Sequence, residues 1–290
     1  MNLLYRTVGI SKQGFHQRLD RLLSKLEMKS QLLSVLVKVR KDHPKMSARK
    51  MYHVLKPEAI GRDAFIQWAY REGFKMANKK RLNLSYNPLS NYRFPNLIAG
   101  KELTGVNQVW VSDITYYQVK DKTFYVTMIM DLYSRRIVGH HASKSLQTIH
   151  TTLPALNQAI KARKGSMKDL IFHSDGGGQY YSKVFLRQTK QQGIRNSMSY
   201  QVLENAHAER LMGVIKNDYL KGYNPQNLSE LKTALNKAVK MYNEQKPHGA
   251  LQLMSPSQYE EKLAEIKPVE MWITPRYIPV KVTHIPTRQQ

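Results

Sequence analysis

The chain has 290 residues, with 46 Lys and Arg against 21 Asp and Glu, a formal net charge of +25. It has no cysteine, which excludes disulfides and thiolate zinc sites and leaves carboxylates, imidazoles and waters as ligands for any metal. No apolar run is long enough to cross a bilayer and no secretory signal is visible, so the sequence predicts a cytoplasmic globular protein with a polyanionic partner and no membrane association.

The first 76 residues predict a basic, all-helical region. Residues 1–100 hold 20 Lys and Arg against 6 Asp and Glu, a net charge of +14. A first helix is predicted after a cap at Ser11, because apolar residues follow it at helical spacing. A second helix is predicted to end at Pro44, and a compact pair of helices comes next. We interpret residues 1–76 as a helix-turn-helix-like DNA-binding region, with helices that only pack together as the alternative. The candidate DNA contacts here are Lys12, Arg49, Lys50 and Arg62.

Residues 77–104 lose this periodicity. They combine prolines, asparagines and basic residues, which is typical of a linker. Basic side chains interleaved with aromatic ones favour contact with a DNA backbone, and a plain tether is the alternative. The candidate DNA contacts in this linker are Lys79, Lys80 and Arg81.

From residue 105 the hydrophobic period changes from that of a helix to that of a strand. The stretch NQVWVSDITYYQV alternates, with Val109, Val111 and Asp113 on one face. Two further strands continue an antiparallel meander, and a helix, a strand, a helix, a strand and a helix follow. This order predicts an α/β, ribonuclease-H-like core over residues 105–262, built on a central mixed five-stranded sheet, with a C-terminal tail at 263–290 that alternates in part like a strand.

Three carboxylates fall where this fold brings its elements together. The first and fourth strands are neighbours in such a sheet, so we expect Asp113 in the first and Asp175 at the end of the fourth to face one another, with Glu209 near the start of the adjacent helix. Carboxylates without cysteine predict a hard oxygen site for Mg²⁺ or Mn²⁺. Two such ions would clamp an in-line phosphoryl displacement. The glycines of HSDGGGQY allow a sharp turn and a close approach to a bulky ligand.

The helix of Glu209 carries further candidates. Helical spacing places Gly213 and Lys216 on the face of Glu209, and Lys216 and Arg210 are candidate DNA contacts. An ordinary charged surface of an amphipathic helix is the alternative. Glu204 competes with Glu209, but it precedes the helix and is assigned to the cap region.

Other polar residues near the three candidate carboxylates are interpreted mainly as structural. Asp131 also ends an apolar strand, and we expect it to start a turn by forming a hydrogen bond with Ser134 or Arg135. His173 and His207 flank the candidate ligands and are interpreted as structural or close to substrate, since no second histidine stands at a ligand spacing.

The core resembles the integrase-type catalytic domain of the OrfB transposases of the IS-three family of bacterial insertion sequences, which are related to retroviral integrases. The resemblance covers roughly residues 105–262, and the motifs that carry it are NQVWVSDITY, MDLYSRRIVG, HSDGGGQY, ENAHAERLMGVIKNDYL and YNEQKPHGALQLMSPSQY. It implies that the acidic triad of the family falls on Asp113, Asp175 and Glu209. The family spaces the last two carboxylates by 35 residues, whereas residues 176–208 number 33.

The resemblance also implies an activity and partners. It implies cleavage and joining of DNA strands without a covalent enzyme intermediate, because a metal-activated water frees a 3′-hydroxyl that attacks another phosphodiester. The expected partners are double-stranded DNA of the element's terminal repeats and of the target, further copies of the chain assembled on DNA, and an upstream OrfA protein or fusion, at the bacterial nucleoid. A ribonuclease-H-like nuclease and a DNA-binding regulator without catalysis are the alternatives. The residues expected to brace the site, or to touch DNA, are Tyr242, Asn243, Pro247 and His248.

Overall fold

The computed structural model describes residues 9–76, 94–199 and 205–265, together with a two-residue strand, Val280–Lys281. No helix in this described part of the chain is long and apolar enough to span a membrane. The candidates Lys79, Lys80, Arg81 and Glu204 lie outside the described residues.

The first of two compact units, Met1–Met46, is built around helix α1 (Lys12–Asp42). Ser11 caps α1, because its Oγ accepts a hydrogen bond from Gly14 N at 3.0 Å. The sequence predicted two helices here, but no glycine or proline interrupts the chain between Gly14 and Pro44, so one helix continues for 31 residues. Part of its apolar face, here termed the α1 stripe, is 37 to 54% exposed and consists of Phe15, Leu19, Leu22 and Leu26.

The second unit, Ser47–Gln290, opens with the predicted helical pair, α2 (Ala48–Leu55) and α3 (Arg62–Arg71). Phe65 is fully buried, and its ring packs edge-on against Tyr52 with ring centroids 5.5 Å apart. Aromatic contacts of this kind add to the burial of apolar area. The pair therefore has a packed core of its own.

The rest of this unit is α/β. Its strands are β1 (Glu102–Leu103), β2 (Val109–Val119), β3 (Lys122–Asp131), β4 (Ile137–Ser143), β5 (Ile171–Ser174), β6 (Arg195–Met198) and β7 (Val280–Lys281). Its helices are α4 (Thr152–Arg163), α5 (Lys183–Gln191), α6 (Ala206–Val214), α7 (Leu228–Glu244) and α8 (Pro256–Glu265). Strands β1 and β7 pair antiparallel, so the C-terminal tail does contribute a strand.

The main sheet has the order β4-β3-β2-β5-β6. Strands β2, β3 and β4 form the antiparallel meander, whereas β5 and β6 run parallel to β2 and to each other. The parallel pairing requires helical crossovers, which α4 and α5 provide. This is the predicted mixed five-stranded sheet of a ribonuclease-H-like fold, which is confirmed.

The two faces of β2 supply two separate cores. Val109 and Val111 belong to a cluster with apolar residues of α6 and α7, whereas Trp110 belongs to a cluster with α4 and α5. On the α4 side the approach is so close that a Cβ at Gly139 of β4 would lie 2.2 Å from Ala155 O. The alternation in the sequence therefore fixes which face of the sheet each helix covers.

Strand β3 ends in a fully buried carboxylate, Asp131. Its Oδ1 accepts hydrogen bonds from Tyr133 N at 2.9 Å and Ser134 N at 3.1 Å, and its Oδ2 accepts one from Asn107 N at 2.6 Å. Arg163 Nη2 lies 3.6 Å from Oδ2. The turn predicted for Asp131 is confirmed, and the carboxylate holds the loop between β3 and β4 in place.

A second carboxylate, Glu260, ties α8 to the same corner. It accepts hydrogen bonds from Arg163 Nη1 at 2.9 Å, Arg136 Nη1 at 2.7 Å and Ser134 Oγ at 2.5 Å. Burial alone would raise the pKa of Glu260, but the hydrogen bonds from Arg163, Ser134 and Arg136 and the charge of Arg163 lower it overall. The group therefore stays ionised at neutral pH and pins the C-terminal helix to the sheet.

We expect Glu260→Gln to destabilise the protein by roughly 2 kcal/mol at pH 7, because it removes the charge-assisted hydrogen bonds that Arg163 and Arg136 donate to the carboxylate. Since folding lowers the pKa of Glu260, its stabilising effect is complete above the ordinary value of 4.5 and is lost as the pH falls through the folded-state value. The difference between wild type and variant should therefore shrink in acid. Urea unfolding at pH 7 and in acid measures this, with the exposed neighbour Glu261→Gln as the control. Equal losses for the two variants at pH 7 would contradict it.

Candidate active site

Two of the predicted carboxylates are brought side by side by the pairing of β2 with β5. Val111 of β2 lies opposite His173 of β5 in the parallel ladder. Asp113 is two residues beyond Val111, and Asp175 is two residues beyond His173. Because side chains alternate with period two, Asp113 lies on the face of the sheet that Val111 marks. Asp175 directly follows the last residue of β5, and its charge raises the pKa of Asp113, so the two carboxylates are neighbours.

The third carboxylate, Glu209, lies in the first turn of α6, as predicted. The buried residues Ala208, Leu211 and Met212 of α6 belong to the core cluster that also contains Val111 of β2. Helix α6 is therefore packed on the face of the sheet that carries Asp113.

The pKa values of all three carboxylates are raised. Burial, then the charges of Asp175 and Glu209, raise the pKa of Asp113 to about 7, although a hydrogen bond from Ile114 N to its Oδ1 at 2.8 Å opposes the rise. Desolvation, then Asp175, raises the pKa of Glu209. Desolvation also raises the pKa of Asp175, against a hydrogen bond from Gly177 N at 3.2 Å. The site is thus a concentration of negative charge that a cation would relieve.

The donor chemistry of this site fits a hard divalent cation, since the three candidate ligands all offer carboxylate oxygens. Within the described residues, however, no three His, Asp or Glu side chains lie close enough together to hold one ion. The roles of Asp113, Asp175 and Glu209 as metal ligands therefore stay a prediction.

Ser112, the residue before Asp113, is held from three directions. Asn205, at the start of α6, donates from Nδ2 to Ser112 O at 3.1 Å. Ser112 Oγ donates to Met128 O at 2.9 Å and lies 2.9 Å from Tyr180 Oη. These contacts join the beginning of α6 and the loop after β5 to β2. Sequence reasoning missed them, although Asn205 stands in the ENAHAE motif four residues before Glu209.

Gly177, two residues after Asp175, lies close to the carboxylate of that residue. Gly177 has an ordinary negative φ of −62°, so no left-handed backbone requires a glycine there. A Cβ at Gly177 would instead lie 3.0 Å from Asp175 Oδ1 and 3.2 Å from Gln179 Oε1. The missing side chain leaves room for the carboxylate.

The helix that carries Glu209 changes its geometry between Gly213 and Lys216. After Val214 the helix continues as a π-helical segment, Ile215–Leu220, which changes the rotation per residue. Lys216 lies in a cavity beside Tyr116 and Tyr117, whereas Gly213 lines a different cavity with Arg210. The common face of Glu209, Gly213 and Lys216 toward DNA stays a prediction.

The remaining predicted DNA contacts occupy several environments. Lys12 and Arg49 are exposed, and Lys50 is half-buried. Arg62 is exposed and forms an ion pair with Asp63 at 2.9 Å. Their role in DNA binding stays a prediction.

His173, Asn243 and Tyr242 make contacts inside the core. His173 is fully buried, and its Nδ1 lies 2.9 Å from Ser197 Oγ. Asn243 braces the start of β4, because it accepts from Ile137 N and donates to Ile137 O at 2.9 Å each. Tyr242 packs edge-on against His248 with ring centroids 4.7 Å apart. The bracing interpretation fits Asn243 directly.

Comparison with known proteins places this fold in a family. Two family models described as "Integrase core domain" match residues 104–201 and 192–256. The chain is 28% identical over 268 residues to the "Insertion element IS600 uncharacterized 31 kDa protein" of Shigella sonnei, covering 88% of this chain and 96% of that protein. It is 27% identical to the "Transposase for insertion sequence element IS904" of Lactococcus lactis, and the match covers 70% of this chain and 79% of that protein. It is 29% identical to "Transposase InsF for insertion sequence IS3A" of Escherichia coli (strain K12), and the match covers 63% of this chain and 66% of that protein.

Solved structures give looser matches. The HTLV-2 integrase catalytic core domain in complex with magnesium, in its trimeric form, matches with a TM-score of 0.43 at 23% identity, covering 57% of this chain and 98% of that one. The simian T-cell lymphotropic virus intasome in complex with PP2A regulatory subunit B56 gamma matches with a TM-score of 0.49 at 19% identity, covering 71% and 67%.

The matched families, together with the strand order, define a protein with an integrase-type catalytic core. More specifically, the chain belongs to the IS-three family of insertion-sequence transposases.

We expect Asp113→Asn to raise the thermal stability of the metal-free protein at pH 8 by several degrees. Because folding raises the pKa of Asp113 from 3.8 to about 7, stability is lost as the pH rises through that interval, and the uncharged amide avoids the loss. Thermal unfolding in EDTA at pH 4 and pH 8 measures it, with the exposed hairpin residue Asp121→Asn as the control. A lower melting temperature for Asp113→Asn than for Asp121→Asn at pH 8 would contradict the expectation.

Proposed function

We propose that the protein cleaves the ends of an insertion sequence and joins them to target DNA, with Asp113, Asp175 and Glu209 as its catalytic triad. The observation that carries this proposal is the shared electrostatic site on β2, after β5 and on α6, in a chain of the transposase family. Its substrate is double-stranded DNA, and an upstream OrfA protein or fusion is a further expected partner.

The triad would hold Mg²⁺ or Mn²⁺, two ions for one active site. When bound, such ions supply Lewis-acid activation of water and of the phosphoryl oxygens. The chain's own contribution is to hold the carboxylates rigidly. Ser112 anchors the strand of Asp113 to Asn205 at the start of the Glu209 helix, and Tyr180 anchors the loop after Asp175 to the same residue. A preorganised set of charged groups needs little rearrangement during the reaction.

The experiment that tests this function follows a labelled 3′-end into target DNA in the presence of Mg²⁺. Transfer to the target supports a strand transferase. Cleavage without joining would favour the nuclease alternative, and binding without either reaction would favour the regulator.

We expect Asp113→Asn, Asp175→Asn and Glu209→Gln each to reduce cleavage and joining to the level of a control without enzyme. Each change removes one carboxylate ligand but keeps the side-chain size and the basic surface, so DNA affinity measured in EDTA should stay within about threefold of wild type. Asp121→Asn, in the exposed β2–β3 hairpin, is the matched control and should keep its activity. A triad variant with near wild-type turnover would remove that residue from the triad.

We also propose that the protein works as an oligomer of identical chains, because two element ends must meet during transposition. The α1 stripe supports this, since its residues recur at spacings of four, three and four, as in a coiled coil. A second copy of the same helix presents the same spacing and would cover the exposed apolar side chains.

We expect the double variant Leu22→Lys with Leu26→Lys to shift the protein toward the monomer, because it puts charges into the proposed apolar seam. Sedimentation velocity across a concentration series gives the mass directly. Ser24→Lys adds a charge to the same helix at an exposed position outside the stripe and should leave the mass unchanged. Equal masses for the double variant and wild type would show that the stripe does not join copies of the chain.

A further inference from the structure

A second charged site lies beside α6, in a cavity of about 680 Å³ within the second unit. The basic and imidazole groups that line it are Lys50, Arg135, His207, Arg210, Lys246 and His248. One carboxylate, Asp218, also lines the cavity and lies 3.9 Å from Lys246 Nζ. Four permanent cations therefore share this cavity with one anion, and we term it the basic pocket.

The central group of the basic pocket is Arg135. Its backbone has a φ of +63°, a left-handed conformation that is unfavourable for a side chain of this size. The turn that imposes this conformation is fixed by Asp131, whose carboxylate binds Tyr133 N and Ser134 N. The fold thus holds Arg135 in a strained position at the wall of the pocket.

Arg135 has few partners in the described part of the chain. Its Nη1 lies 2.9 Å from His207 Nδ1, and no carboxylate of the described residues forms an ion pair with it. Burial lowers its pKa, which reflects the free-energy cost of keeping a guanidinium partly out of water. An arginine held in this way has donors left for an anion.

One histidine of the pocket, His248, also fits an anionic ligand. His248 Nε2 is buried and has no hydrogen-bond partner among the described residues. Burial, followed by the charges of Lys246, Lys50, Arg135 and Arg210, lowers the pKa of His248 to about 3. The ring is therefore neutral, and its surroundings are strongly positive.

We propose that the basic pocket binds a phosphate group of DNA other than the phosphate that reacts. Arg210 follows Glu209 directly, and His207 lies two residues before it, so these two residues of the pocket are offset from Glu209 by only about 1.5 and 3 Å along the helix axis. A strand that reaches Glu209 has neighbouring phosphates at hand for this pocket. The ligand is a DNA phosphodiester, and this assignment rests on the proposed function.

The test uses a labelled duplex in EDTA, so that no reaction occurs and only binding is measured. Arg135→Gln and Arg210→Gln should each weaken binding about five- to tenfold near 0.1 M salt, and each should lower the slope of log affinity against log salt by about 0.9. Arg187→Gln removes an equal charge from an exposed position on α5 and is the matched control. Because Arg210 is exposed, its variant should fold even if Arg135→Gln does not.

A second arm locates the phosphate. Single phosphates of the duplex are replaced in turn by uncharged methylphosphonates, and affinity is measured for wild type and Arg210→Gln. At one position the replacement should weaken wild type but leave the variant unaffected, which is the signature of a direct partner.

Two results would overturn the proposal. One is that the pocket variants bind like Arg187→Gln, and the other is that no methylphosphonate position is coupled to Arg210. Either result with a wild type that binds DNA rejects the pocket alone. A wild type that does not bind DNA rejects the proposed function as well.

Discussion

The parallel pairing of β2 with β5 is the constraint on which the candidate active site depends. It joins segments about 60 residues apart in the chain and sets Val111 opposite His173, so that Asp113 and Asp175 come to the same place. Burial, followed by the charge of Asp175, raises the pKa of Asp113 to about 7, so bringing the two carboxylates into this site costs free energy. The energy that holds them there comes from the apolar cores on both faces of β2.

Carboxylates serve two different purposes in this fold. Asp131 and Glu260 are surrounded by donors, and they lock the β3–β4 turn and the last helix into place. Asp113 and Asp175 have one backbone donor each and remain underneutralised. A structural carboxylate is satisfied within the chain, whereas the triad carboxylates leave charge to be met by something from outside. Two arginines differ in a similar way. Arg163 binds two carboxylates, whereas Arg135 binds none among the described residues.

Much of the fold could be predicted because its signals are local. The alternation in β2 and the order of strands and helices indicate a mixed five-stranded sheet, and an aspartate that ends an apolar strand beside glycines indicates Asp175. The single long helix α1 was missed because the sequence only permits continuity and does not require it. The π-helical segment was missed because helical spacing assumes a constant rotation per residue. Asn205, Tyr180 and Arg135 were missed because their partners are distant in sequence, and only the folded chain shows that they converge on Ser112 and on the basic pocket.

The most direct test of the central claim is to locate the metal ions themselves. Crystals of the protein with DNA and Mn²⁺, measured for anomalous scattering, should show peaks contacting carboxylate oxygens of Asp113, Asp175 and Glu209. A peak that contacts Asp113 should disappear in Asp113→Asn. Manganese peaks at other positions only, or a peak that persists unchanged in Asp113→Asn, would contradict the assignment of these three residues as the metal-binding triad.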